Sequence, residues 1–438
     1  MHWFLAVALA AGAAAYAQGR YVASLSAANP SAPTLTVLDE NLQPVGTVGV
    51  PSGARQVLIA DDGAKLIVIA DNPQSPVSFI SIAGGALTQV RTTSLGSGSP
   101  VLARLSADGA LLYVVTKNPA LVYAVQVANE QVANAAVAVP GEPVDAELTN
   151  DGQYLLVLSA PNFLTPIRTA DWQAQQVVSI SGNFGDPRLA LSVAPFGSVF
   201  VTGPNVLIEL RGLPPFDELA RTSLAGGNLT HPGKLQFMPP LGTRAFAANR
   251  AQAGHSVGVF DFTLRSPNSP AGAYVAGAVA IGTTGGPFGT TPELVEPLIV
   301  TRDLRAIGLA PSVQQVFEFN YVPGGGVNVN DFRVNQIPLT AIQSIATSGE
   351  FPNNLYFYYL NASGILSRFP LSGIGNIPTR NVPPGSLQWL NVPSSGTPGN
   401  LYGYGGGLTN VTPGATVRYY VRAIDTAGRP VKGRTVNF

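Results

Sequence analysis

A polar turn followed at once by an unbroken apolar run recurs along this chain. LTNDGQYLLVLSA begins at Leu148, LIADDGAKLIVIA at Leu58 and RLSADGALLYVVT at Arg104. Fainter copies are SVAPFGSVFVTG from Ser192, FMPPLGTRAFAAN from Phe237, IVTRDLRAIGLA from Ile299 and IATSGEFPNNLYFYY from Ile345. The turn position holds Gly63, Gly109, Gly152, Gly197, Gly242, Leu304 and Gly349, so successive spacings are 46, 43, 45, 45, 62 and 45 residues. A period this steady marks a repeat architecture. The spacing of 62 predicts an insertion in one unit, within residues 266–292, which are rich in Gly, Pro and Thr.

Every unit shares a grammar. A proline opens it (Pro100, Pro143, Pro187, Pro232), and the turn glycine follows nine or ten residues later. Glycine reaches the positive φ that a tight turn requires without a steric penalty. An apolar run that does not alternate with polar residues is expected of a strand covered on both faces. A third strand follows, such as PVSFISI at 76–82 or LVYAVQV at 121–127, then a less apolar fourth strand and a Gly-x-Pro turn. Four-stranded units of this length are blades of a β-propeller, so the fold class is all-β.

The N-terminal part supports ring closure. YVASL (21–25), TLTVLD (34–39) and PVGTVGV (44–50) read as second, third and fourth strands of a unit that lacks its first. That strand must come from near the other end of the chain. SLQWLNV (386–392) would make eight blades; a strand around 340–347 would make seven.

Composition narrows the function classes. Of 438 residues only 11% are charged, against ~25% in ordinary globular proteins. Lys+Arg and Asp+Glu balance at 24 each, which argues against a nucleic-acid surface. A hydrophobic content of 46% argues against disorder. With no cysteine, disulfides, thiolate metal sites and a cysteine nucleophile are excluded. MHWFLAVALAAGAAAYAQ at the N-terminus reads as an export signal over residues 1–17, with Ala15-Tyr16-Ala17 fitting small-x-small cleavage. No later segment has the length of a transmembrane span. The chain is therefore expected outside the cytoplasm: extracellular, at the cell surface, or in the periplasm.

The LTNDGQYLLVLSA pattern, with its Gly141-Glu142-Pro143 lead-in, resembles the YVTN-type repeat and the lactonase-like seven-bladed propellers. The resemblance runs over roughly residues 21–384. It is closest in the units at Gly63, Gly109 and Gly152. It implies a secreted propeller, and on the habits of that family seven blades, over residues 18–384. Its members include surface-layer and adhesion-associated proteins and a sugar-lactone hydrolase, so it does not choose a function. Residues 385–438 are expected to hold the closing strand and a partial further segment. There ATVRYYVRAIDTAGRPVKGRTVNF (415–438) resembles the opening strands of an invasin-type bacterial immunoglobulin-like domain, through Asp425, Gly428, Pro430, Val431, Gly433, Val436 and Phe438. A whole sandwich takes about 100 residues, so either the chain is truncated or this hairpin packs on the propeller.

Candidate chemistry is sparse. His2 lies in the signal, and His231 and His255 read as loop residues. No nucleophile elbow, zincin motif or phosphate-binding loop is present. The glycine clusters at 323–331 and 403–407 read as turns or linkers. Asn228, Asn361 and Asn410 begin glycosylation sequons, which carry little weight because the invasin-type resemblance implies a bacterium. Asp61, Asp62, Asp108, Asp151 and Asp303 belong to the turn grammar and are expected to bond turn amides. First strands of a propeller line its channel. Their polar residues, Arg55, Arg104, Asp145, Glu147, Arg188 and Lys234 with Gln56 and Gln236, are the candidate ligand-binding set. Such a mixed-sign ring either binds a cation or sugar or compensates itself. No catalytic residue, metal site or cofactor is expected.

Two function classes follow. One is an exported binding, adhesion or envelope module, monomeric within a longer chain, with a protein or carbohydrate ligand at the propeller face. The other is a secreted lactonase-like hydrolase with a metal or carboxylate site in the channel.

Overall fold

The computed structural model describes residues 20–391 except 27–30, 40, 61–63, 84–85, 107, 182–188, 225–228, 239–241, 251–255, 263–274, 280–293, 301–305, 311–314, 323–325, 332–340, 348–355, 371–378 and 383–385, together with Ala423–Ile424 and Pro430–Val431. Every regular element among the described residues is a strand, and the strands form eight blades and one separate two-stranded pairing near the C-terminus. Blade I consists of Arg20–Ser26, Thr34–Asp39 and Pro44–Gly49, with Ser386–Asn391 as its first strand. Blades II to VIII open with Ala54–Ile59, Ser99–Leu105, Glu142–Leu148, Ala190–Val193, Gln236–Phe237, Leu298–Val300 and Ile342–Thr347.

Blade I closes the ring. Arg20 pairs with Asn391 and Leu25 with Ser386, antiparallel and without a register slip. The expectation of seven blades is thereby corrected to eight. The strand at Ile342–Thr347 does not close blade I but opens blade VIII, pairing with Tyr356–Asn361. The family habit of seven misled here, because pairing between chain ends is a long-range event that local pattern does not encode.

The apolar runs are second strands, and they answer to two cores at once. In Lys65–Ala70, Leu66 and Val68 enter the cluster shared with blade I, whereas Ile67 and Ile69 enter the one shared with blade III. In Tyr154–Ala160, Leu155 and Val157 face blade III, and Leu156 and Leu158 face blade V. Side chains alternate across a strand, so a strand sandwiched between two blades must be apolar at every position. Eight such clusters occupy the eight junctions, the last uniting Val22, Leu38 and Leu42 of blade I with Tyr358, Leu360 and Leu366 of blade VIII.

The turn grammar also holds in atomic detail. Gly109 and Gly152 both adopt φ 68°. Asp108 accepts hydrogen bonds from the Ser106 hydroxyl (2.6 Å) and the Ala110 amide (3.2 Å). Asp151 accepts from the Thr149 hydroxyl (2.6 Å) and the Gln153 amide (3.0 Å). Asp61, Asp62 and Asp303 lie outside the described residues. Within the expected insertion, Val275–Val279 is the fourth strand of blade VI. One expectation fails: Gly326–Asp331, read as turn or linker, is the fourth strand of blade VII, paired with Gln315–Val322. Its Val-Asn alternation was outweighed in the sequence by the preceding glycines. Of the segment expected to form an immunoglobulin-like hairpin, only the pairing of Ala423 with Val431 and Ile424 with Pro430 is described. No helix among the described residues is long and apolar enough to cross a membrane.

Candidate functional site: a charge network between first strands

First strands have a hydrogen-bonded neighbour on one side only, and those of successive blades pack together around the ring axis. A β-bulge shapes four of them. Register slips between Ala54 and Gln56, Pro100 and Leu102, Pro143 and Asp145, and Ile342 and Ser344. A bulge re-aims the side chain that follows it. The residue after it is Gln56 in blade II and Asp145 in blade IV.

Both reach the next blade. Gln56 accepts from the Ala103 amide (3.0 Å) and donates to the Ala103 carbonyl (3.1 Å). Asp145, buried at 9% exposure, accepts from the Leu191 amide (3.0 Å) through Oδ2 and from the Ala146 amide (2.8 Å) through Oδ1. Between blades V and VI the Ser192 hydroxyl accepts from the Leu235 amide (2.9 Å). These bonds satisfy inner-edge backbone groups that no strand pairs.

Four charges join on this lacing. Arg104 of blade III donates to Glu147 (3.0 Å) and Asp145 (3.4 Å) of blade IV. Lys234, just before the first strand of blade VI, contacts Asp145 Oδ2 at 3.3 Å and pairs closely with Glu147 Oε1. Lys234 therefore reaches past blade V to blade IV. Burial works against the charge of Glu147, but the pull of Arg104 and Lys234 and their hydrogen bonds overcome it, and the carboxyl is held below its ordinary value. Burial likewise opposes the charge of Arg104, and Glu147 with Asp145 more than restores it, raising the guanidinium above its ordinary value. The two cations and two carboxylates compensate one another.

The candidate set is thus split. Arg104, Asp145, Glu147 and Lys234 come together. Arg55 sits on the bulge and pairs closely with Asp71 of its own blade. Arg188 and His255 lie outside the described residues. His231 is half-buried between blades, its amide donating to Asn249 Oδ1 (2.9 Å). Among the described residues, no three His, Asp or Glu side chains stand together as a metal-binding group.

A second feature was missed in the sequence. Among the described residues the turn between second and third strands carries asparagine at Asn72, Asn118, Asn162, Asn205 and Asn249, and Asn361 ends the second strand of blade VIII. The first five follow the repeat period, at spacings of 46, 44, 43 and 44 residues, which was the available signal. Asn118 and Asn205 adopt φ 52° and 57°, a region that asparagine tolerates better than other side-chain-bearing residues. Asn72 bonds Ser52 (3.1 Å), and Asn162 bonds the Ile180 carbonyl (3.0 Å), tying turn to blade linker.

No family model and no curated protein matches this chain. Among solved structures, it is similar to the dihydro-heme d1 dehydrogenase NirN in complex with DHE, with 11% identity and a TM-score of 0.60 over 86% of this chain and 75% of that one. It is also similar to a putative 6-phosphogluconolactonase from Bacteroides fragilis, with 13% identity and a TM-score of 0.50 over 72% of this chain and 94% of that one. At such identities the likeness shows the β-propeller fold alone.

Proposed function

We propose that this chain is an exported bacterial binding module. Its propeller displays a recognition face to a protein or carbohydrate, and immunoglobulin-like structure continues from it at the cell envelope. One observation carries the reading: the channel carboxylates are already committed. Asp145 and Glu147 answer to Arg104, Lys234 and the Leu191 amide. A hydrolase of the lactonase kind needs an acid, base or metal ligand open to substrate. Here the same groups lace one blade to the next. The leader at residues 1–17, the YVTN-like turns at Gly109 and Gly152, and the invasin-like pattern at 415–438 support export and display. Nucleic acid does not fit a chain of balanced charge.

The test sets the two classes side by side. Purified protein is assayed for saturable binding to envelope preparations, and for hydrolysis of sugar lactones with and without Ca²⁺, Mg²⁺ or Mn²⁺. Binding without turnover is expected. Lactone turnover that Glu147→Gln abolishes while the protein stays folded would overturn the proposal.

A further inference from the structure

The turns between first and second strands of blades III and IV each hold an Asp-Gly pair, Asp108-Gly109 and Asp151-Gly152. This dipeptide carries a reaction of its own. The glycine amide nitrogen attacks Cγ of the aspartic acid and an N–C bond forms. The amide proton leaves with the hydroxyl of the acid as water. Water then opens the five-membered imide at either carbonyl. One opening restores aspartate; the other gives isoaspartate, which lengthens the main chain by one methylene. Glycine favours the attack because it has no Cβ to obstruct the approach. Both aspartates are exposed, so water reaches them.

The two turns oppose each requirement of that step. The attacking nitrogen must give up its proton. The Gly109 amide instead donates to the Ser106 carbonyl (2.9 Å), and the Gly152 amide to the Thr149 carbonyl (2.8 Å). The carboxyl must also swing its Cγ onto that nitrogen. Oδ1 of Asp108 is held by the Ser106 hydroxyl and the Ala110 amide, one residue beyond the glycine. Oδ1 of Asp151 is held in the same way by the Thr149 hydroxyl and the Gln153 amide. The hydroxyls are themselves fixed at the start of each second strand. Ser106 Oγ accepts from the Leu111 amide (2.9 Å), and Thr149 Oγ1 from the Tyr154 amide (3.0 Å). A hydroxyl that accepts one bond still has its proton to donate, and here that proton goes to the carboxyl. Hydrogen bonds to a charged group are the stronger kind.

We infer that Asp108 and Asp151 are isoaspartate-forming modification sites kept closed by the hydroxyls of Ser106 and Thr149. The inference stands apart from the display reading above: it concerns the chemical durability of the blade turns, whatever the propeller binds.

The experiment ages the full chain near neutral pH and counts isoaspartate at each position by peptide mapping. The parent chain is followed folded and unfolded in urea, and Ser106→Ala and Thr149→Val are followed folded. The folded parent is expected to convert far more slowly than the unfolded chain at both positions. Loss of one hydrogen bond to a charged group should speed conversion about tenfold. Ser106→Ala should do so at Asp108 alone and Thr149→Val at Asp151 alone, so each variant carries its own control in the other turn. A folded parent that converts as fast as the unfolded chain overturns the inference. So does a variant whose own turn stays as slow as in the parent. A variant that speeds both turns equally also overturns it, since opening of the whole fold and not loss of the hydroxyl would then be the cause.

Discussion

Trp172 lies flat on Tyr113, with ring centroids 5.4 Å apart and planes 13° apart, although the two belong to different blades. Trp172 stands in the 3–4 turn of blade IV at φ 57°, a conformation that costs a side-chain-bearing residue about 1–2 kcal/mol. Its indole N–H donates to the Ala135 carbonyl (2.9 Å) of blade III. The same device recurs with other chemistry. Glu130, at φ 63°, reaches Lys65 of blade II at 2.8 Å. Phe216, at φ 57°, meets Tyr154 of blade IV edge-on at 5.3 Å. Leu42, at φ 62°, is buried in the blade VIII junction. In each case a left-handed turn residue clasps the preceding blade, and burial or pairing offsets the backbone strain.

Truncating the clasp separates the two terms. Trp172→Ala removes the packing and keeps the strain, and is expected to destabilise the fold by about 3 kcal/mol. Trp172→Gly relieves the strain and is expected to be less destabilising than alanine, despite being smaller. Denaturant unfolding of the two variants gives the order. Tyr113 supplies a second readout. Burial, aided by the Asp108 charge, pushes its hydroxyl up to about 12. Opening the stack in Trp172→Ala should bring that titration back toward the ordinary value of 10, followed by phenolate absorbance.

The channel network makes stability depend on acid. Glu147 is held below its ordinary value of 4.5 in the folded chain. A depressed carboxyl contributes stability that is fully present above its unfolded value and is lost as pH falls through the folded one. The parent chain should therefore lose this contribution only below pH 4.5. Glu147→Gln, which leaves Arg104 and Lys234 short of a carboxylate, should lower stability near neutrality by about 1–3 kcal/mol and flatten the acid limb. Urea midpoints measured from pH 7 to pH 3 check both effects. An unchanged acid limb in the variant would show that Glu147 does not carry it.

Ring closure is testable by two truncations. A chain ending after Asn391 keeps the first strand of blade I and should unfold cooperatively. A chain ending before Ser386 leaves Arg20–Ser26 as an open edge beside the closing core. Such edges template aggregation, so the shorter chain is expected to aggregate or to lose its cooperative transition.

Much of this architecture was legible because it is local. The glycine turns, the two-faced second strands and the first-strand carboxylates each follow from a short window. Three features were not local. The blade count depended on pairing between Arg20 and Asn391. The separation of Arg55 from the charge network depended on a bulge, which moved it toward Asp71 and re-aimed Gln56. The meeting of Lys234 with Asp145 and Glu147 joins residues 89 and 87 positions apart in sequence. The recurring turn asparagines were visible in the spacing, but only the strand order places them on one face.

The most direct measurement is the intact mass and cell fraction of the native protein in its producing organism. Display from the envelope predicts a species heavier than the 45.3 kDa of this chain, retained with the envelope. A species matching residues 18–438, free in the medium or periplasm and without affinity for the envelope, would contradict that account.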